Sequence, residues 1–166
     1  MRWYILRIKT RKAAKIVDQI GPENCWLPLK KRWTRPAKKN SPILVEVNLI
    51  PGWLFVKEDQ FGQWTDLDGV HGYMRYGRMG PLWIEDEDLD GLREICNEDP
   101  GSGMPLSRRV KAPVWRPKVG DKVELKGLFK GLMGIVTEVR SANEYLIDTG
   151  NLPILTDLEL LKPLKS

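Results

Sequence analysis

The chain contains one histidine, His71, and two cysteines, Cys25 and Cys96, so little side-chain chemistry is open to it. A two-histidine acid–base pair or a histidine-rich metal site cannot be assembled, and a Ser-His-Asp arrangement would have to use His71. Neither a G-x-S-x-G elbow nor a G-x-x-x-x-G-K-[ST] phosphate loop occurs, the nearest glycine pattern being Gly127 to Gly134. Glu85, Asp86, Glu87, Asp88 and Asp90 form one acidic run that could hold Mg²⁺. They lack calcium-loop spacing, however, and stand at the start of a helical pattern, where acids suit the helix dipole. The cysteines form no C-x-x-C pair and are expected as buried free thiols. These residues argue for a protein without catalysis, cofactor or metal.

The basic residues carry a stronger signal. The formal net charge of +5 is clustered. Arg2, Arg7, Lys9, Arg11, Lys12 and Lys15 follow one another without an acid, as do Lys30, Lys31, Arg32, Arg35, Lys38 and Lys39. Seven tryptophans accompany them, and aromatics interleaved with Arg and Lys are the chemistry that holds single-stranded nucleic acid. Core packing accounts for Trp3, Trp26 and Trp64. Trp33 stands in the charged stretch, where base stacking, protein contact and local packing are all open.

The elements that position these residues follow from periodicity. Residues 3–8 read as a buried strand, and Thr10 as the N-cap of a helix that Gly21-Pro22 stops. Lys30 to Ser41 reads as a protruding basic loop or hairpin tip, because its charges could be buried only if neutralised. Residues 43–47 and 53–56 read as strands around the Pro51-Gly52 bend, 61–67 as a short helix, and 85–96 as a helix with Leu89, Leu92 and Ile95/Cys96 on one face. Residues 98–117, with Pro100, Gly101, Pro105, Pro113 and Pro117, have linker chemistry. Short strands with glycine turns then fill 119–163. No stretch reaches the roughly 18 apolar residues of a membrane span, and the N-terminus lacks a leader pattern, so a cytoplasmic location is expected.

Val119-Gly120-Asp121-Lys122-Val123-Glu124-Leu125 and the glycines Gly127, Gly131 and Gly134 resemble the KOW motif, with Gly134 at its central glycine. Trp3-Tyr4, Pro51-Gly52-Trp53-Leu54-Phe55-Val56 and Val70-His71-Gly72-Tyr73 resemble successive hallmarks of the NusG N-terminal domain. The resemblance, which also takes in Leu155-Thr156-Asp157-Leu158-Glu159, is to NusG-like transcription elongation factors, including specialised RfaH-like or phage-encoded paralogues. It implies an α+β fold: a ferredoxin-like antiparallel sheet with flanking helices over 1–99, a basic linker over 100–117 and a small all-β KOW barrel over 118–166. It further implies a monomer that docks on the clamp of RNA polymerase through Tyr4, Pro51, Trp53 and Phe55, where Trp53 replaces the usual tyrosine. Upstream DNA would meet Arg11, Lys12 and Lys15. His71, Arg75 and Arg78 would face the non-template strand or the opposite polymerase jaw. Lys30, Lys31, Arg32, Trp33 and Arg35 are further candidates for DNA or nascent RNA.

Two departures fall in the barrel: Gly127-Leu128-Phe129 stands for a glycine-proline-phenylalanine turn, and Gly150-Asn151-Leu152-Pro153-Ile154 for a glycine-arginine-x-threonine-proline run. They weaken the expectation that the barrel recruits a termination factor or a ribosomal protein. Val123, Ile135, Val136, Val139 and Ile147 favour strands there over helices. The alternative reading is an RNA-binding or ribosome-associated KOW protein. Aromatics of residues 51–56 in an open apolar pocket would favour polymerase; Trp53 in the core, with Trp33 and its basic neighbours as the special surface, would favour RNA.

Overall fold

A computed structural model describes residues 1–34, 42–75, 78, 80–101 and 115–164. Strand β1 (Arg2–Ile8) runs through the centre of the first sheet, as its run of aromatic and aliphatic residues requires. A 3-10 turn, Thr10–Lys12, leads into α1 (Ala13–Ile20). The expected Thr10 cap is corrected: Lys12 holds the N-cap position, without a side-chain capping bond. Gly21 ends the helix at φ 91°, a conformation that glycine adopts without strain.

Strands β2 (Cys25–Trp26), β3 (Leu29–Thr34), β4 (Ile43–Asn48), β5 (Trp53–Lys57), β6 (Val70–Tyr73) and β7 (Trp83–Glu85) follow, and then α2 (Asp90–Asn97). The first sheet has the order β2-β5-β1-β6, with β7 also pairing β1, and its pairings are antiparallel. Directly opposed residues share a face. The register Ile5↔Phe55 and Arg7↔Trp53 therefore sets one face, and Tyr4↔Val56 and Leu6↔Leu54 the other. On the second face Leu6, Ile8, Leu54 and Val56 pack against Ala13, Ile16 and Ile20 of α1. On the first, Trp3, Ile5, Trp53 and Phe55 pack against Leu92 of α2 and Leu89 of the 3-10 turn Asp86–Leu89 before it. The two helices thus cover opposite faces, whereas a ferredoxin-like arrangement would place both on one.

Two further expectations are corrected. Residues 61–67 form turns, preceded by a 3-10 turn at Glu58–Gln60, since Gly62 adopts φ 86°. Lys30 to Thr34 is not a protruding loop but part of β3, paired with β4 from Leu29↔Asn48 to Thr34↔Ile43. Arg35, Lys38 and Lys39 lie outside the described residues.

The C-terminal part contains β8 (Lys122–Leu125), β9 (Met133–Val139), β10 (Glu144–Asp148), β11 (Pro153–Asp157) and β12 (Leu161–Pro163), in the order β11-β10-β9-β8-β12. Val123, Val136 and Ile147, expected in strands, are there and form a core with Leu125, Tyr145, Ile154 and Leu161. At Gly134 an added Cβ would collide with Ile147 Cγ2 and the Asp148 backbone, so β9 and β10 approach too closely for a side chain. No helix among the described residues is long and apolar enough to cross a membrane.

Candidate docking face and basic surfaces

Alternation along β1 and β5 separates the residues expected to dock polymerase. Trp53 and Phe55 project to the α2 face, and Tyr4 to the α1 face. There Tyr4 lies 4.3 Å from Phe61 and 6.3 Å from Tyr73, centroid to centroid. Pro51 is buried at the bend before β5. The four therefore do not line one pocket.

Trp53 and Phe55 are 5% and 0% exposed, but α2 alone does not account for this. Leu160, from the 3-10 turn Leu158–Leu160 after β11, belongs to the same core, and Leu128, Phe129 and Leu152 pack against it. Phe129 stands edge-on to Trp53 at 5.5 Å. Gly127, at φ 64°, brings the turn close to α2: a Cβ on Gly91 would meet its backbone at 3.6 Å. The Asp157 amide donates to the Leu49 carbonyl at 2.9 Å. The α2 face is thus closed by residues from the far end of the chain. The open-pocket branch of the Trp53 test is not met, because Trp53 is in the core; the other branch is met in that half only, since Lys30 and Arg32 are paired with acids and Trp33 is half-buried.

Polar contacts border this apolar contact. Trp3 Nε1 donates to Asp86 at 2.6 Å, and Arg93 Nη2 reaches the same oxygen at 2.5 Å. Arg93 and then Trp3 hold the Asp86 carboxyl below its usual range. Lys30 is 8% exposed and pairs with Glu159 and, at 2.7 Å, with Glu98. Arg32 Nη1 lies 3.2 Å from both Asp157 oxygens and 3.5 Å from Glu159. Burial disfavours the charge on Lys30, but the two glutamates outweigh it and its pKa rises. For Asp157 burial dominates and the pKa rises, although the Glu159 amide and Arg32 oppose it. Lys30 is buried under the condition the sequence set, with its charge neutralised, and Arg32 is half-buried and paired in the same way. The acids that do so, Glu98, Asp157 and Glu159, escaped the sequence reading because Glu159 lies 129 positions from Lys30.

The remaining basic candidates separate into two groups. Arg11 and Lys15 are exposed around the start of α1, and Lys12 between them pairs with Asp68. His71 and Arg75 line a cavity of about 450 Å³, together with Arg7, Met74, Pro81 and Leu152. Arg7 was missed as a site residue; its signal was a lone charge in an apolar strand. Arg78 is exposed in a turn, and Lys31 is exposed on β3 opposite Glu46. Trp33, half-buried, donates to the Gly101 carbonyl at 3.2 Å, which favours the packing role. Cys25 is buried and its thiol is pushed up to about 11, chiefly by burial; Cys96 is only partly buried, a correction to its expected burial.

The described residues form a mixed α/β chain of sheets and two α-helices. The family model for "Transcription termination factor nusG" matches residues 1–93, and the chain belongs to the NusG family. Among solved structures, one described as "Domain interaction in Thermotoga maritima NusG" is 17% identical over 99% of this chain and 98% of that one, with a TM-score of 0.45. A chain of the MjSpt4:Spt5 complex is 16% identical over 99% of each chain, with a TM-score of 0.28. No curated protein sequence matches.

Proposed function

We propose that the protein is a transcription elongation factor that binds the RNA polymerase clamp and promotes processive elongation, by anti-pausing or antitermination. The observation that carries this reading is the α2 face: Trp53 and Phe55 are buried in a core that includes Leu160 and is packed against by Phe129, both from turns in the C-terminal part. A large apolar face closed by a separable cover marks a protein-binding surface. Polymerase would take that face once the cover leaves it, with Pro51 shaping the bend and Tyr4 contributing from the opposite side of β1. Residues 1–99 act as the NusG-like domain, 100–117 as the linker and 118–166 as a KOW domain that recruits partners. Arg11, Lys12 and Lys15 at α1, Lys30, Lys31 and Arg32 on β3, and His71, Arg75 and Arg78 serve upstream or non-template DNA. No bond is made or broken: favouring one clamp state suffices to change elongation.

The test is co-purification of the tagged full chain with RNA polymerase, followed by elongation across a pause and a terminator. Phe129→Ser, which weakens the cover, is expected to increase retention and read-through, and adding Trp53→Ala to abolish both. Circular dichroism verifies that each variant folds. Absence of retention for both wild type and Phe129→Ser would reject the reading and favour an RNA-binding role.

A further inference from the structure

The ion pairs beside the apolar contact do more than hold it. Lys30 and Arg32 sit two apart on β3, so they share a face and stand about 6.6 Å from each other. That separation is comparable to the reach between successive phosphates on a single nucleic-acid strand. Asp157 and Glu159, likewise two apart, present carboxylates to these cations, and Glu98 adds a third at the rim. Lys31, on the opposite face of β3, is exposed. The strand therefore holds one outward cation and two covered ones.

We propose that the Asp157–Glu159 turn occupies the phosphate positions of a nucleic-acid-binding strand, so that closure of the C-terminal sheet and binding of single-stranded nucleic acid at Lys30 and Arg32 exclude each other. This rests on the reading of β3 as a nucleic-acid contact and adds its regulation. The chemistry is an exchange of anions: two carboxylates leave, phosphates enter, and the cations remain charged throughout. The raised pKa of Lys30 is consistent with a cation held by anions in either state. Because binding free energies are reciprocal, an anionic strand that gains the two cations must also loosen the cover from Trp53 by the same factor.

The test uses the full chain and a fluorescently labelled 15-nucleotide single-stranded DNA, read by anisotropy over a range of KCl concentrations. Asp157→Asn/Glu159→Gln removes the competing charges while leaving an Asn able to accept the Glu159 amide, as Asp157 now does at 3.0 Å. A control, Glu138→Gln/Asp148→Asn, removes as much negative charge from the exposed surface of the same sheet. The first pair is expected to bind roughly tenfold more tightly than the control, with a salt slope steeper by about 1.4 for two additional phosphates. Adding Lys30→Gln/Arg32→Gln should remove the gain. A first pair that matches the control, or a gain that survives loss of Lys30 and Arg32, overturns the proposal while leaving DNA binding in place. Absence of binding by every variant overturns the nucleic-acid reading as well. Glu159→Gln alone repeats the measurement with one change should the double variant melt early. In wild type, saturating DNA should accelerate hydrogen exchange at the Asp157 amide, which bonds to Leu49 across the contact. An unchanged rate with DNA bound would also overturn the proposal.

Discussion

The two faces of the first sheet are covered in different ways. The Leu6, Leu54 and Val56 face is closed by α1, which follows β1 after a short turn, so its cover forms with the strand it protects. The Trp3, Trp53 and Phe55 face is closed by α2 and then by Leu160 and Phe129 from turns between strands of the second sheet. The first core is drawn from the N-terminal part alone, whereas the second also takes in residues from the C-terminal part.

Core truncations should break this comparison most strongly. Leu54→Ala and Phe55→Ala each remove a fully buried side chain, with expected losses of about 2–5 and 3–5 kcal/mol respectively. They should differ in kind. In urea unfolding followed by NMR, Leu54→Ala lowers the midpoint and leaves the Gly127 and Gly91 resonances in place, while Phe55→Ala also shifts those resonances. Gly134→Ala tests the second sheet alone. The added methyl would meet Ile147 and the Asp148 backbone, and the expected cost is about 1–3 kcal/mol, seen as a lower melting temperature.

Gly91→Ala sharpens the contrast in the opposite direction. Its Cβ would find ordinary contacts at 3.6 Å, while α2 gains helix propensity, so the variant should be more stable by up to about 1 kcal/mol in urea melts. The smallest effect concerns acid. Asp86 is held below its ordinary pKa by Arg93 and Trp3, so its stabilisation is present above the usual carboxylate value and is lost as pH falls through its lowered folded value. Asp86→Asn should flatten the acid limb of stability against pH; an unchanged limb would remove Asp86 from the account.

Much of the fold was legible where pattern and burial agree. β1, β5, α1 and α2 follow from apolar spacing, and the C-terminal strands from β-branched residues between glycines. The β3–β4 hairpin was not, because Lys30-Lys31-Arg32 looks like solvated chain until acids more than 120 positions away are brought beside it. The site was half legible. Trp53 and Phe55 stand out by type, but whether Tyr4 joins them depends on strand parity and register, and the Tyr4↔Val56 pairing places it on the other side. The closing contact of Phe129 and Leu160 depends on how two sheets meet, for which one sequence carries no periodic signal.

The edge-on contact of Phe129 with Trp53 joins parts of one polypeptide, so it forms at an effective concentration on the order of millimolar rather than at the concentration of free protein. A weak contact is therefore enough to keep the face shut in dilute solution. On the function proposed above, a partner from outside must either bind more strongly than such a local competitor or arrive already tethered nearby, which makes the cover a threshold on who reaches Trp53.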